Sequence, residues 1–274
     1  MNQPLWIVFG AGGYIGGEFV TYLESLVGRK SVIPAPPGAI SNHLWFSGEL
    51  DSNPRWQRAP ELRIVILAGA GVIGLLDKSG FEFNSTGIPA AVLHMSKVPR
   101  TRIFIAGSSF EYGLAGSSSE FLDPVFSPLE PTEPYGISKK SGFVAIRKEI
   151  ESRENLYYGR LFQVWGGNEP MSRLVPSILR NSIAGDITEL TSGMAVRDFI
   201  SVRQVCEQIY NTFQAQESEM QVFNICHGQG QTVESFCRSI LDLRDLDQNL
   251  IKSKREIEHP YHRLVGVPGT TPKV

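Results

Sequence analysis

The chain is short of cysteine, of long apolar runs and of any charge excess. Its three cysteines, Cys206, Cys226 and Cys237, all fall in the last third and none has CxxC spacing. That excludes a disulfide framework and leads to the expectation of a reduced, cytoplasmic chain. The longest uncharged apolar stretch, Ile64 to Leu76, falls far short of the roughly 20 residues a membrane helix needs. The opening MNQPLWIVFGAGG has no positively charged leader, so neither a signal peptide nor a membrane span is expected. With 26 Lys+Arg against 28 Asp+Glu the formal charge is −2 and no long basic run stands out, which argues against nucleic acid as a partner. His259 and His262 straddle Pro260 with no accompanying cysteine or carboxylate cluster, so no metal site is expected.

What is present is an ordinary globular composition, 42% hydrophobic and 20% charged over 274 residues. Leu5 to Phe9 is a short continuous apolar run closed by glycines, followed by a helical pattern from Tyr14 to Val27. Strand-like segments recur near Ser31–Ile33, Trp45–Phe46, Arg63–Leu67, Arg102–Ala106 and Tyr157–Phe162, with helical patterns at about Asn84–Ser96 and Tyr135–Ser152. Apolar strands alternating with helices predict an α/β fold, a Rossmann-like doubly wound parallel sheet covered on both faces. The proline-rich PAPPGAISNHL between Ile33 and Trp45 predicts a loop in place of a crossover helix. After Trp165 the alternation loosens. The expected division is therefore a dinucleotide-binding domain over 1–165 and, over 166–274, a small C-terminal substrate-binding lobe with some segments returning to the main sheet. KSKREIE at 252–258 reads as a solvated helix face.

Three constellations carry chemistry. Gly10, Gly13 and Gly16 form a GxxGxxG loop between a strand and a helix, where backbone N–H groups and the helix dipole favour a pyrophosphate; tight packing alone is the competing explanation. Tyr135 and Lys139 stand four apart at the start of a helix and share a face, so the ammonium can draw the phenol pKa down towards working pH for proton transfer. By itself that spacing also fits an exposed helix face. Ser108 follows an apolar strand at its carboxyl end, where α/β sheets place ligands, and its hydroxyl can stabilise charge on a carbonyl oxygen or simply cap a turn.

Taken in this order, GAGGYIG, LAGA at 67–70, Asn84 heading a helix, SSFEYG at 108–113, PYGISK at 134–139, GRLFQVWG, RDFISV and FNI resemble the extended short-chain dehydrogenase/reductase family of nucleotide-sugar epimerases, dehydratases and ketoreductases. The resemblance implies Ser108 as carbonyl binder, Tyr135 as acid/base and Lys139 as phenol tuner and ribose ligand. It implies a cofactor site from Gly10, Gly13, Tyr14, Ile15, Gly16, Leu67, Ala68, Gly69, Asn84, Tyr135 and Lys139, with Glu49 and Leu50 holding the adenine. Ser109, Phe110, Gln163 and Arg197 are the implied substrate-binding residues, Arg197 meeting the sugar-nucleotide phosphates unless Asp198 pairs with it. A homodimer through the helix of Tyr135 is also implied.

The departures narrow the chemistry. Family dehydratases carry Asp and Glu where this chain has Ser109 and Phe110, and fucose-type epimerase-reductases place a cysteine where Phe110 stands. What remains needs hydride transfer and one proton: an NAD(P)H-dependent ketoreductase acting on a nucleotide-activated keto-deoxysugar at a 4-keto group. A 4-epimerase and a non-catalytic dinucleotide-binding regulator remain as alternatives. After Ser31-Val-Ile33 there is no acidic residue for a ribose 2′-hydroxyl, and Arg29, Lys30 and His43 lie around that strand, so NADP(H) is favoured over NAD(H).

Overall fold

The computed structural model describes residues 3–71, 76–191, 193–214, 221–253 and 263–268. Six parallel strands form the main sheet in the order β2-β1-β3-β4-β5-β9: β1 Leu5–Phe9, β2 Val32–Pro34, β3 Leu62–Ile66, β4 Thr101–Ser108, β5 Leu156–Leu161 and, far along the chain, β9 Val222–Ile225. Register aligns Ile7 with Ile33 on one side and with Ile64 on the other.

Period two explains why these strands are apolar throughout. Leu5, Ile7 and Phe9 of β1 point into one core layer with Leu62, Ile64 and Ile66, whereas Trp6 and Val8 point into the opposite layer with Val65 and Phe104. The first layer is closed by α2 (His43–Ser52), α3 (Pro54–Arg58), α5 (Ile88–Met95) and α7 (Pro134–Ser152). The second is closed by α1 (Tyr14–Val27) and α9 (Val202–Thr212) through Phe19, Leu23, Val205 and Ile209.

Two sequence expectations are corrected here. Trp45 and Phe46 are not a strand; they lie in α2, and the proline-rich segment before it folds into a short 3-10 turn at Ala39–Ser41. Trp45 packs edge-on to Phe9 at 5.7 Å and to Trp56 at 5.7 Å, so the two rings seal the sheet as helix residues would. Nor does Asn84 head a helix. It sits in a π-helical turn, Phe83–Gly87, that joins α4 (Lys78–Glu82) to α5.

Beyond β4 a four-residue helix, α6 (Ala115–Ser118), leads towards α7. The smaller lobe combines β6 (Gln163–Trp165), β8 (Val196–Ser201), β10 (Gly230–Thr232) and β12 (Arg263–Leu264), with β7 (Thr188–Leu190) paired to β11 (Ile251–Ser253) and α8 (Leu174–Ala184) and α10 (Val233–Asp242) packed alongside. Its core centres on Phe199 and Phe236, stacked 3.7 Å apart. Lys252 and Ser253 therefore belong to a strand and not to a solvated helix; the rest of that charged stretch, with His259 and His262, lies outside the described residues. β9 and α9 carry the chain back to the main sheet. Among the described residues no helix is long and apolar enough to cross a membrane.

Candidate active site

The glycine loop lies at the carboxyl end of β1 and opens α1. Gly13 is the helix N-cap and brings no side chain, and the first turn of α1 holds no acid, which leaves the amide end of the helix open to an anion. Close packing sets two of the glycines. A Cβ on Gly16 would stand 2.0 Å from the Gly10 oxygen, and one on Gly10, whose φ is +84°, would stand 2.5 Å from the Ala68 nitrogen. Gly10 thus brings the loop against the Leu67–Ala68 strand end, where Leu67 N–H donates to Phe9 O at 2.9 Å.

Tyr14, predicted in the cofactor loop, does something further: its hydroxyl donates to Gly166 O at 2.5 Å, while Glu18 one turn later accepts from the N–H and the side-chain amide of Asn168 at 2.6 and 2.8 Å. Arg173 lies over the Tyr14 ring at 5.3 Å. The glycine loop is so joined directly to the segment that enters the smaller lobe.

α7 delivers Tyr135 and Lys139. Pro134 begins the helix, and Gly136 allows its first turn to approach the residues after β4: a Cβ there would lie 2.5 Å from Phe110 O. Ser108, the last residue of β4, caps a 3-10 turn over Ser109–Glu111, and its side chain is hydrogen-bonded to Tyr135. The three predicted catalytic residues therefore lie close together. Burial raises the Tyr135 pKa, with the Ser108 hydrogen bond and Arg173 pulling it down and Glu111 pushing it up. The Lys139 ammonium lies beside Gly69, where a Cβ would stand 2.9 Å from Nζ. Burial lowers the Lys139 pKa to about 8, against the opposing pull of Glu111.

The residues present fit a nicotinamide dinucleotide. A helix N-terminus without a capping side chain faces the glycine loop, and beside Gly69 stands a buried ammonium that makes no hydrogen bond or ion pair among the described residues. These are the donors that a pyrophosphate and a ribose diol take. The Asn84 amide accepts from Ala70 N–H at 2.9 Å and donates to Ala70 O at 2.9 Å and Ser138 Oγ at 3.1 Å, so it clamps the 67–70 segment to α7. Glu49 and Leu50 lie on α2; Leu50 packs into the core and Glu49 accepts from Asn53. Arg29 and Lys30 precede β2 and so lie at its amino end, away from the glycine loop; the grounds they gave for NADP(H) fall away.

Phe110, Gln163 and Arg197 line one cavity of about 430 Å³ between the main sheet's carboxyl edge and the smaller lobe, together with Arg173, Leu174 and Phe199. Phe110 meets Tyr135 edge to face at 6.4 Å. Ser109 is buried beneath the turn and is not among the residues lining the cavity. Arg197 is not paired with Asp198, whose carboxylate accepts from His227 and Gly228 N–H at 2.7 and 2.8 Å; burial lowers the Arg197 pKa to about 10. Adjacent strand residues point to opposite faces, which sends Arg197 to the cavity and Asp198 to the loops.

Sequence reasoning missed three participants. Arg173 was hidden in an irregular stretch, Glu111 within the serine turn and Arg160 inside an apolar strand. A signal was available in the last two, since a charge in a buried strand needs a partner of opposite sign. Among the described residues no three metal-binding side chains come together.

In solved structures the same fold recurs. dTDP-glucose 4,6-dehydratase from Bacillus anthracis, in complex with NAD, is 18% identical with a TM-score of 0.76, covering 98% of this chain and 89% of that one. RMD from Pseudomonas aeruginosa, complexed with NADPH, is 18% identical with a TM-score of 0.76, covering 99% and 90%. WbmG from Bordetella bronchiseptica, in complex with NAD and UDP, is 18% identical with a TM-score of 0.73, covering 97% and 85%. Likenesses at this level of identity establish the fold. No curated protein matches the chain in sequence. The profile of the NAD dependent epimerase/dehydratase family matches residues 6–226, and the chain belongs to that family.

Proposed function

We propose that this protein is an NAD(P)H-dependent ketoreductase acting on a nucleotide-activated deoxysugar, with a 4-keto group as the one reduced. The observation that carries this reading is Phe110: the side chain beside Tyr135 on the cavity wall is an aromatic ring with no proton to give or take. Elimination or epimerisation at a neighbouring carbon needs a second acid/base beside the first; reduction of a carbonyl needs Tyr135 alone. The nearby fold relatives whose structures contain dTDP-sugar dehydratase activity or UDP support a nucleotide-sugar as the class of substrate.

When bound, the nicotinamide cofactor supplies hydride. Tyr135, held protonated by burial, donates the proton to the carbonyl oxygen; Ser108 hydrogen-bonds that oxygen; Lys139 holds ribose hydroxyls; Arg197 and Arg173 face the diphosphate. With Arg29 and Lys30 at the wrong end of β2, the preference for NADPH rests on the absence of an acid after β2, where Pro34, Ala35 and Pro36 stand, and on His43 at the start of α2. A homodimer through α7 is part of this reading: Val125, Phe126 and Val144 are 58%, 86% and 58% exposed beside that helix, an apolar strip that a second copy would cover.

The test is to incubate the purified protein with NADPH or NADH and nucleoside-diphosphate 4-keto-6-deoxyhexoses, following loss of absorbance at the reduced nicotinamide and the sugar product by mass. The expected outcome is stoichiometric reduction with freely exchanging cofactor. Tightly retained NAD with interconversion of 4-epimers and no net oxidation would replace the reductase by a 4-epimerase.

A further inference from the structure

Behind the catalytic turn lies a charged group that none of the roles above uses. Glu111 is 0% exposed, yet both carboxylate oxygens are fully engaged. Oε1 accepts from the Ser108 main-chain N–H at 2.7 Å and from the Tyr158 hydroxyl at 2.8 Å, and Oε2 accepts from Arg160 Nε at 2.8 Å. Arg160 is itself 1% exposed, lies over the rings of Phe143, Tyr112 and Tyr158 at 4.6, 5.1 and 5.6 Å, and donates to Pro124 O at 3.1 Å. Four separate elements are drawn together: the turn after β4, β5, α7 through Phe143, and the 124 loop.

Burying an ion pair is a poor way to gain stability, because desolvation consumes most of the attraction. Hydrophobic residues of the same volume would hold this core at least as well. The hydrogen bonds show what the carboxylate does that a hydrophobic residue cannot. It fixes the main chain at Ser108 in a reciprocal cap, since the Ser108 hydroxyl accepts from Phe110 N–H while the Glu111 side chain accepts from Ser108 N–H. Room for it is made by Gly107, where a Cβ would stand 2.4 Å from the Tyr158 ring and 2.7 Å from Glu111 Oε1.

We propose that Glu111, held by Arg160 and Tyr158, is the positioning residue of this site: it fixes Ser108 through the main chain and sets a carboxylate close to the Tyr135–Lys139 pair. The groups facing that pair are few. Lys139 feels Glu111 and lines one small cavity with Tyr158, and Tyr135 feels Glu111, Tyr158 and Arg173. Glu111 favours the protonated form of both members, the ammonium that holds a ribose and the phenol that donates a proton.

The charge part is tested without any sugar, so it stands apart from the ketoreductase reading; the Ser108 part rests on that reading. Binding of whichever of NADH and NADPH is held more tightly is titrated by its fluorescence from pH 6.5 to 9.5. In the unaltered protein affinity should break downwards near pH 8 as Lys139 loses its proton, and the break should vanish in Lys139→Met. In Glu111→Gln it should move down by about one pH unit, and with a turned-over 4-keto sugar kcat should fall tenfold or more while KM stays within twofold. A folded Glu111→Gln protein whose break is unmoved overturns the proposal, as does a break that persists in Lys139→Met. If the single variant does not fold, Glu111→Gln with Arg160→Gln removes both buried charges, and the same displacement is required of it. A displaced break without turnover of any 4-keto sugar sinks the reductase reading and leaves Glu111 in place.

Discussion

Lys139 shows the cost of a prepared site at the scale of one side chain. Its ammonium is buried and unpaired among the described residues, and its pKa falls from the model-compound 10.5 to about 8. Between those two values the unfolded chain binds more protons than the folded one, so stability rises with pH across that window, and the penalty is present in full below pH 8. Lys139→Met should therefore raise Tm at pH 7 and raise it less at pH 10, while weakening cofactor binding tenfold or more. Melting curves at the two pH values check this; an equal gain at both would show that the ammonium is not the source. Tyr135→Phe is the complementary change. It removes the proton donor and leaves the ring against Phe110, so kcat should fall by about 10²–10⁴-fold with cofactor affinity unchanged. Ser108, Tyr135 and Lys139 were all legible in the sequence because each follows a recognisable element end. The direction of the Tyr135 shift was not, since it depends first on how far the fold buries the phenol, which spacing does not encode.

At the scale of elements, the glycine loop separates packing from binding. Gly16→Ala would force a Cβ to 2.0 Å from the Gly10 oxygen and should destabilise by about 1–3 kcal/mol, as overpacking a tight site does. Gly13→Ala meets only that same oxygen at 3.3 Å, so it should fold, yet place a methyl group at the open mouth of α1 and cut cofactor affinity tenfold or more. Gly12→Ala meets nothing within 4 Å and should change neither. Thermal melts and cofactor titrations of the three variants test the ordering; a Gly16→Ala protein as stable as Gly12→Ala would contradict it. The main sheet was readable from its continuous apolar runs, because both faces are covered. α2 was not. Its Leu44, Trp45 and Phe46 are consecutive in place of helically spaced, and only the stacking of Trp45 on Phe9 and Trp56 shows why a helix serves there. That the Asn84 amide also bonds Ala70 and Ser138 was not legible, since these partners are 14 and 54 residues away in the chain.

At the scale of the molecule, the two binding regions share one joint. The Tyr14 hydroxyl bond to Gly166, the Glu18 bonds to Asn168 and the Arg173 side chain over the Tyr14 ring connect the glycine loop to the wall of the 430 Å³ cavity. Arg173 is tied in turn to Glu169 at 3.0 Å and to Val164 O at 2.9 Å, so its position depends on that segment. Anything that settles the glycine loop therefore also settles an arginine on the cavity wall, and filling one site should strengthen the other by the same factor in both directions. Tyr14→Phe removes a single hydroxyl and keeps the ring under Arg173. Its Tm should fall by no more than a few degrees, consistent with loss of about one hydrogen bond, about 1 kcal/mol. Its affinity for UDP or dTDP alone should be nearly unchanged. The gain in that affinity on adding cofactor should shrink, and calorimetric titration of each nucleotide with and without the dinucleotide measures it. An undiminished gain in Tyr14→Phe would mean that the joint holds the lobes together without passing information between them.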